Sequence, residues 1–68
     1  MKISARNVLK GKIVDIHRGA TTAHVRIDVN GAVVTASITN ESVDDLKLVE
    51  GQTAFAVIKS SDVMVGVE

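Results

Sequence analysis

Residues 22–39 constrain the fold more than any other stretch. Ala23, Val25, Ile27 and Val29 alternate with Thr22, His24, Arg26 and Asp28, the period-two pattern of a strand buried on one face. Asn30-Gly31 follows, the dipeptide best suited to the positive φ angles of a type I′ hairpin turn. The alternation then resumes, with Ala32, Val34, Ala36 and Ile38 facing inward against Val33, Thr35, Ser37 and Thr39. An antiparallel hairpin with one face on a core is therefore predicted.

Other strands must complete the sheet. Residues 1–10 mix Ile3, Val8 and Leu9 with polar side chains and read as a lead-in, with Asn7 as a turn former. Gly11 to Arg18 holds the first strand, with Ile13, Val14 and Ile16, and Gly19-Ala20-Thr21-Thr22 breaks it. At residues 40–48 the period changes. Thr39 or Asn40 can cap a helix, Glu41, Asp44 and Asp45 suit its positive end, and Val43, Leu46 and Leu48 form a short apolar stripe. One or two helical turns fit, ended by Glu50-Gly51. Thr53 to Ile58 is the predicted fourth strand and Val63 to Val67 the fifth. The run Ala54-Phe55-Ala56-Val57-Ile58 has no alternation, which implies burial on both faces. In a small barrel only one of those faces is the interior, so the other calls for a second subunit. The expected fold is all-β: one domain over residues 1–68, a five-stranded OB-type barrel with one short helix between strands three and four.

Composition sharpens this and excludes several functions. A 68-residue chain that is 46% hydrophobic has little interior in which to hide its apolar side chains. Chains of this size usually rely on disulfides, a structural metal or oligomerisation. There is no cysteine, and His17 and His24 are too few for a structural zinc site without carboxylate help. Oligomerisation remains, and the lack of cysteine agrees with a reducing cytosol. Eight basic and eight acidic residues give zero net charge, against the basic excess of a nucleic-acid binder. Phe55 is the only aromatic, too little for base stacking. No apolar stretch is long enough to span a membrane, and no apolar core follows Lys2 as in a signal peptide. No nucleophile–base set, phosphate-binding glycine loop or cluster for a bare metal cation is visible, so no enzymatic activity is expected.

Two polar runs remain, Ser4-Ala5-Arg6-Asn7 and Lys59-Ser60-Ser61-Asp62, the second wedged between apolar strands. Hydroxyls, cations and turn N–H groups together suit an oxyanion, which needs donors alone. Plainer uses exist for each residue. Lys59 can be a solvated strand end, Ser60-Ser61-Asp62 an ordinary serine turn, Ser4 a local cap and Arg6 a surface ion-pair partner. His24 sits on the polar face of its strand, and His17 reads as a surface residue.

Ile3-Ser4-Ala5-Arg6-Asn7, then Leu9-Lys10-Gly11, and later Ala56-Val57-Ile58-Lys59-Ser60-Ser61-Asp62-Val63-Met64 resemble the molbindins, small cytoplasmic molybdate- and tungstate-binding proteins. Their domain also occurs in molybdate-responsive regulators and on molybdate-transporter ATPases. The resemblance spans essentially the whole chain. It implies an OB-type fold, a hexamer built as a trimer of dimers, and molybdate or tungstate held between subunits with no organic cofactor. The main site would take Ser4, Ala5 and Arg6 from one subunit and Lys59, Ser60 and Ser61 from a neighbour. A second oxyanion site would involve Gly19, Ala20, Thr21, Thr22 and His24. Three functions follow as alternatives: intracellular oxyanion storage or homeostasis, a structural assembly module with incidental anions, and, on fold analogy alone, a nucleic-acid-binding OB domain.

Overall fold

A computed structural model describes all 68 residues. The chain runs β1 (Asn7–Arg18), β2 (Thr22–Val29), β3 (Ala32–Thr39), α1 (Asn40–Asp45), β4 (Thr53–Ile58) and a single 3₁₀ turn, η1 (Ser60–Asp62). The strands form one antiparallel sheet in the order β3-β2-β1-β4.

The hairpin forms as its sequence predicts. Val29 pairs with Ala32 around Asn30 and Gly31, whose φ angles of 56° and 99° are both positive, as a type I′ turn requires. The Asp28 carboxylate accepts the Gly31 N–H at 2.9 Å. Ala23, Val25 and Ile27 are buried while Thr22, His24 and Arg26 are exposed.

β1 is longer than the sequence suggested. It starts at Asn7, so the last four residues of the expected lead-in, Asn7 to Lys10, are strand. Its first half, Asn7 to Lys12, pairs with β4, and its second half, from Lys12 to Arg18, pairs with β2. Gly11 lies where the two ladders meet, and β2 approaches it closely: a Cβ there would lie 2.4 Å from the Asp28 carbonyl oxygen and 2.8 Å from Ile27 Cγ2. A β-bulge follows between Ile13 and Asp15, leaving Val14 outside the ladder and half exposed.

The helix is capped by Thr39, whose hydroxyl accepts the Ser42 N–H at 3.0 Å. Val43 is its buried residue, and Leu48 packs against the core beyond it. Leu46 is exposed, so the expected stripe narrows to Val43 and Leu48. Arg18 ties α1 to the end of β1 through Asp44 at 2.7 Å. After the Gly51 turn the chain crosses back under β1: the Gly51 N–H donates to Ile13 O and the Ile13 N–H to Gln52 O, at 2.8 and 2.9 Å. The fully buried core is small, namely Ile13, Ala23, Val25, Ile27, Val43 and Ala56.

Two expectations need correction. The sheet has four strands and is open, not a closed five-stranded barrel. Residues 63–67 are not a strand, because neither open edge of their own sheet pairs with them; Met64, Val65 and Val67 stand 91–93% exposed. Their apolar pattern reports a need for burial, not where a partner lies. The open side of the sheet leaves an apolar cavity of about 430 Å³, lined among others by Ala36 and Ile38 of β3, Phe55 and Val57 of β4, and Leu46 and Leu48. In the single chain the second face of β4 is likewise uncovered, with Phe55 48% exposed. No helix is long and apolar enough to cross a membrane.

The crowding at Gly11 is directly testable. Gly11→Ala is expected to lower stability by about 1–3 kcal/mol, the usual cost of forcing atoms into a filled space. Urea unfolding measures it, and an unchanged midpoint would contradict the close crossing of β1 and β2.

Candidate oxyanion site

The β1–β4 ladder ends at the pair Asn7–Ile58. Ser4-Ala5-Arg6 immediately precedes this rung on one strand, and Lys59-Ser60-Ser61 immediately follows it on the other. Antiparallel pairing therefore brings together two segments more than fifty residues apart in sequence. The Asn7 side chain reinforces the rung, its Nδ2 donating to Ile58 O at 3.2 Å. Asn7 is thus a ladder residue and clamp instead of the turn former expected. The sequence signal was its place directly after the Ser-Ala-Arg run.

Six residues line the resulting cavity of about 220 Å³: Ser4, Ala5, Arg6, Lys59, Ser60 and Ser61. All six predicted main-site residues, and no others, gather there. Both runs lie side by side within one chain, and the sequence reading expects a neighbouring subunit's run to complete the site. The chemistry is one-sided. No carboxylate lines the cavity, and the neighbouring Asp62 lies outside the lining set. Lys59 and Arg6 have no salt-bridge partner, the one ion pair in the chain being Arg18–Asp44. The side chains of Ser4, Arg6, Lys59, Ser60 and Ser61 make no hydrogen bond within the chain. In η1 the Asp62 N–H donates to Lys59 O at 2.9 Å and the Val63 N–H to Ser60 O at 3.3 Å, which leaves the Ser60 and Ser61 N–H groups outside the turn's own bonds. The residues lining this one small space thus carry two cations and three rotatable hydroxyls, together with backbone N–H groups outside the turn's own bonds.

The second set of predicted residues is arranged differently. The Gly19–Thr22 turn closes on itself, Gly19 N–H donating to Thr22 O at 2.7 Å, and is fastened to α1 through Asn40. Asn40 Nδ2 donates to Gly19 O at 3.0 Å, and its backbone N–H to Thr21 O at 2.9 Å. His24 lies further along β2, exposed and opposite His17. Neither the apolar cavity nor the donor-lined pocket includes Gly19, Ala20, Thr21, Thr22 or His24.

The chain is a small β-domain: a four-stranded antiparallel sheet with an acid-free pocket, lined by donor side chains, at the end of one ladder. The chain belongs to the TOBE-domain family, which matches residues 3–65. It is 49% identical to a probable molybdenum-pterin-binding protein of Haemophilus influenzae, with both chains covered in full. Among solved structures it resembles a molybdate-binding protein from Sporomusa ovata, with a TM-score of 0.93 at 37% identity, covering 98% of this chain and 100% of that one. It also resembles the cytoplasmic molybdate-binding protein ModG, in a form with molybdate bound, with a TM-score of 0.93 at 40% identity. That match covers all of this chain and 49% of ModG. These relatives agree with the molbindin resemblance of the sequence.

Because Lys59 has no partner in the chain, its role in folding should be minor. Lys59→Ala is expected to change unfolding stability by less than about 0.5 kcal/mol in the absence of anions. A larger loss by chemical denaturation would assign Lys59 to the scaffold.

Proposed function

We propose that this protein binds molybdate, and equally tungstate, in the Ser4–Arg6/Lys59–Ser61 pocket, and serves as a cytoplasmic store or buffer of these oxyanions without catalysis. The observation that carries this is the lining itself: donors and cations, with no acceptor side chain other than rotatable hydroxyls. Molybdate near neutral pH is a fully deprotonated tetrahedral dianion and can only accept hydrogen bonds. Phosphate is partly protonated at pH 7, so a pocket whose only side-chain acceptors are hydroxyls, better used as donors to a dianion, disfavours it. Sulfate makes the same demands as molybdate, and only cavity size separates them. The chain has zero net charge, so attraction for a dianion must come locally from Lys59 and Arg6. The names of the relatives support molybdate as the ligand.

Calorimetric titration tests this. Molybdate should bind saturably and outcompete phosphate. Lys59→Ala should weaken binding at least about tenfold, since a charge-assisted hydrogen bond contributes about 1.5–3 kcal/mol and 1.4 kcal/mol is a factor of ten. No saturable signal with either oxyanion would sink the proposal.

The working form in this proposal is a homo-oligomer, a hexamer arranged as a trimer of dimers, with anions near subunit boundaries. Two features support a second copy. The uncharged Val63–Val67 tail is exposed, and the open sheet leaves an apolar cavity between its two edge strands. A tail from another chain entering that cavity would supply the fifth strand and complete the barrel. Each valine buried in this way would contribute about 1.5–3 kcal/mol. The tail leaves the anion pocket directly through η1, so anion binding would stabilise the assembly by mass action. Truncation after Asp62 is expected to reduce the oligomer to smaller species in sedimentation experiments. An unchanged oligomer in the truncated protein would contradict a role for the tail.

A further inference from the structure

His17 and His24 are the chain's only histidines. Neither lines the anion pocket, and neither imidazole takes part in a hydrogen bond or ion pair within the chain. Yet they are direct partners across the β1–β2 ladder, and both are exposed. Their alignment depends on the bulge. Ile13 pairs with Ile27 and faces the core; with a regular two-residue alternation, His17 would share that inward side. The extra residue at Val14 reverses the parity of the rest of β1. Ile16 then pairs with core-facing Val25, and His17 turns outward to meet His24. Bulges commonly re-aim side chains in this way.

Side chains directly opposite each other on one face of an antiparallel pair have Cβ atoms about 4.5–5.5 Å apart. Two imidazoles at that separation can direct one ring nitrogen each at a single ion about 2.0–2.1 Å away. Asp15 shares this face, two rungs along, but its direct cross-strand neighbour is Arg26. No group of three histidine or carboxylate side chains is arranged to hold a metal, so the protein offers two ligands and water completes the coordination. Two imidazoles and water suit a borderline divalent ion, with Cu²⁺ held more tightly than Zn²⁺, and do not suit the oxygen-seeking Mg²⁺ or Ca²⁺.

We propose that His17 and His24 form a bidentate, solvent-facing site for a divalent transition-metal ion of the Cu²⁺/Zn²⁺ class, separate from the anion pocket. It is an open site whose ion exchanges readily, not a structural centre. The sequence hid it, because a spacing of seven residues marks no metal motif until the turn and the bulge set the register.

The test is a Cu²⁺ titration of the full-length protein in a non-coordinating buffer, followed by electron paramagnetic resonance and repeated with Zn²⁺ by calorimetry. One ion per chain is expected, with hyperfine coupling to two imidazole nitrogens. His17→Gln and His24→Gln should each lower the affinity for both metals at least tenfold. Their thermal unfolding should match the parent protein's, as befits exposed positions. If either single variant keeps the parent affinity, or if the spectrum reports the terminal amine of Met1 in place of two imidazoles, the paired site is wrong.

Discussion

The Asn7–Ile58 rung is the interaction on which the rest of the arrangement depends. It is the last pair of the β1–β4 ladder, and the two donor runs continue from it on either side. Neither Ser4-Ala5-Arg6 nor Lys59-Ser60-Ser61 belongs to a strand, so neither is placed by its own hydrogen bonding. Both are placed by where the ladder stops. The Asn7 side chain adds a second bond to Ile58, at the one point where fraying would separate the two halves of the pocket.

That ladder exists because β1 serves two partners. The first half of β1 holds β4 and the second half holds β2, with Gly11 at the crossing. The core this builds is only six fully buried residues, which is little for a 68-residue chain. The apolar surface left over includes the open side of the sheet, where Phe55 and Val57 of β4 border the cavity, and the tail beyond η1. The same economy leaves the pocket cations without internal partners. A neutral chain with one ion pair has kept Lys59 and Arg6 free for a ligand.

Much of the fold was legible in the sequence because its strongest signals are local. Asn30-Gly31 between two alternating runs fixes a hairpin through backbone φ preference alone, and Thr39 fixes a helix start through one capping bond. What could not be read depends on distant partners. The end of the expected lead-in, Asn7 to Lys10, became strand because β4, more than forty residues away, pairs with it. The expected fifth strand has no partner in its own chain. The bulge at Val14 shifts the register between Ile13 and Asp15, which local pattern does not show. The residue types of the candidate site were legible, and all six expected residues line one cavity. What brings the two runs side by side was not legible, because that depends on the register of the β1–β4 pair.

The most direct test of the central claim is an anomalous-scattering crystal structure of the protein grown with tungstate. The strongest tungsten peak is predicted between Ser4, Arg6, Lys59 and Ser60, within hydrogen-bonding distance of Lys59 Nζ. An empty pocket there, with tungsten ordered only elsewhere on the molecule, would contradict it.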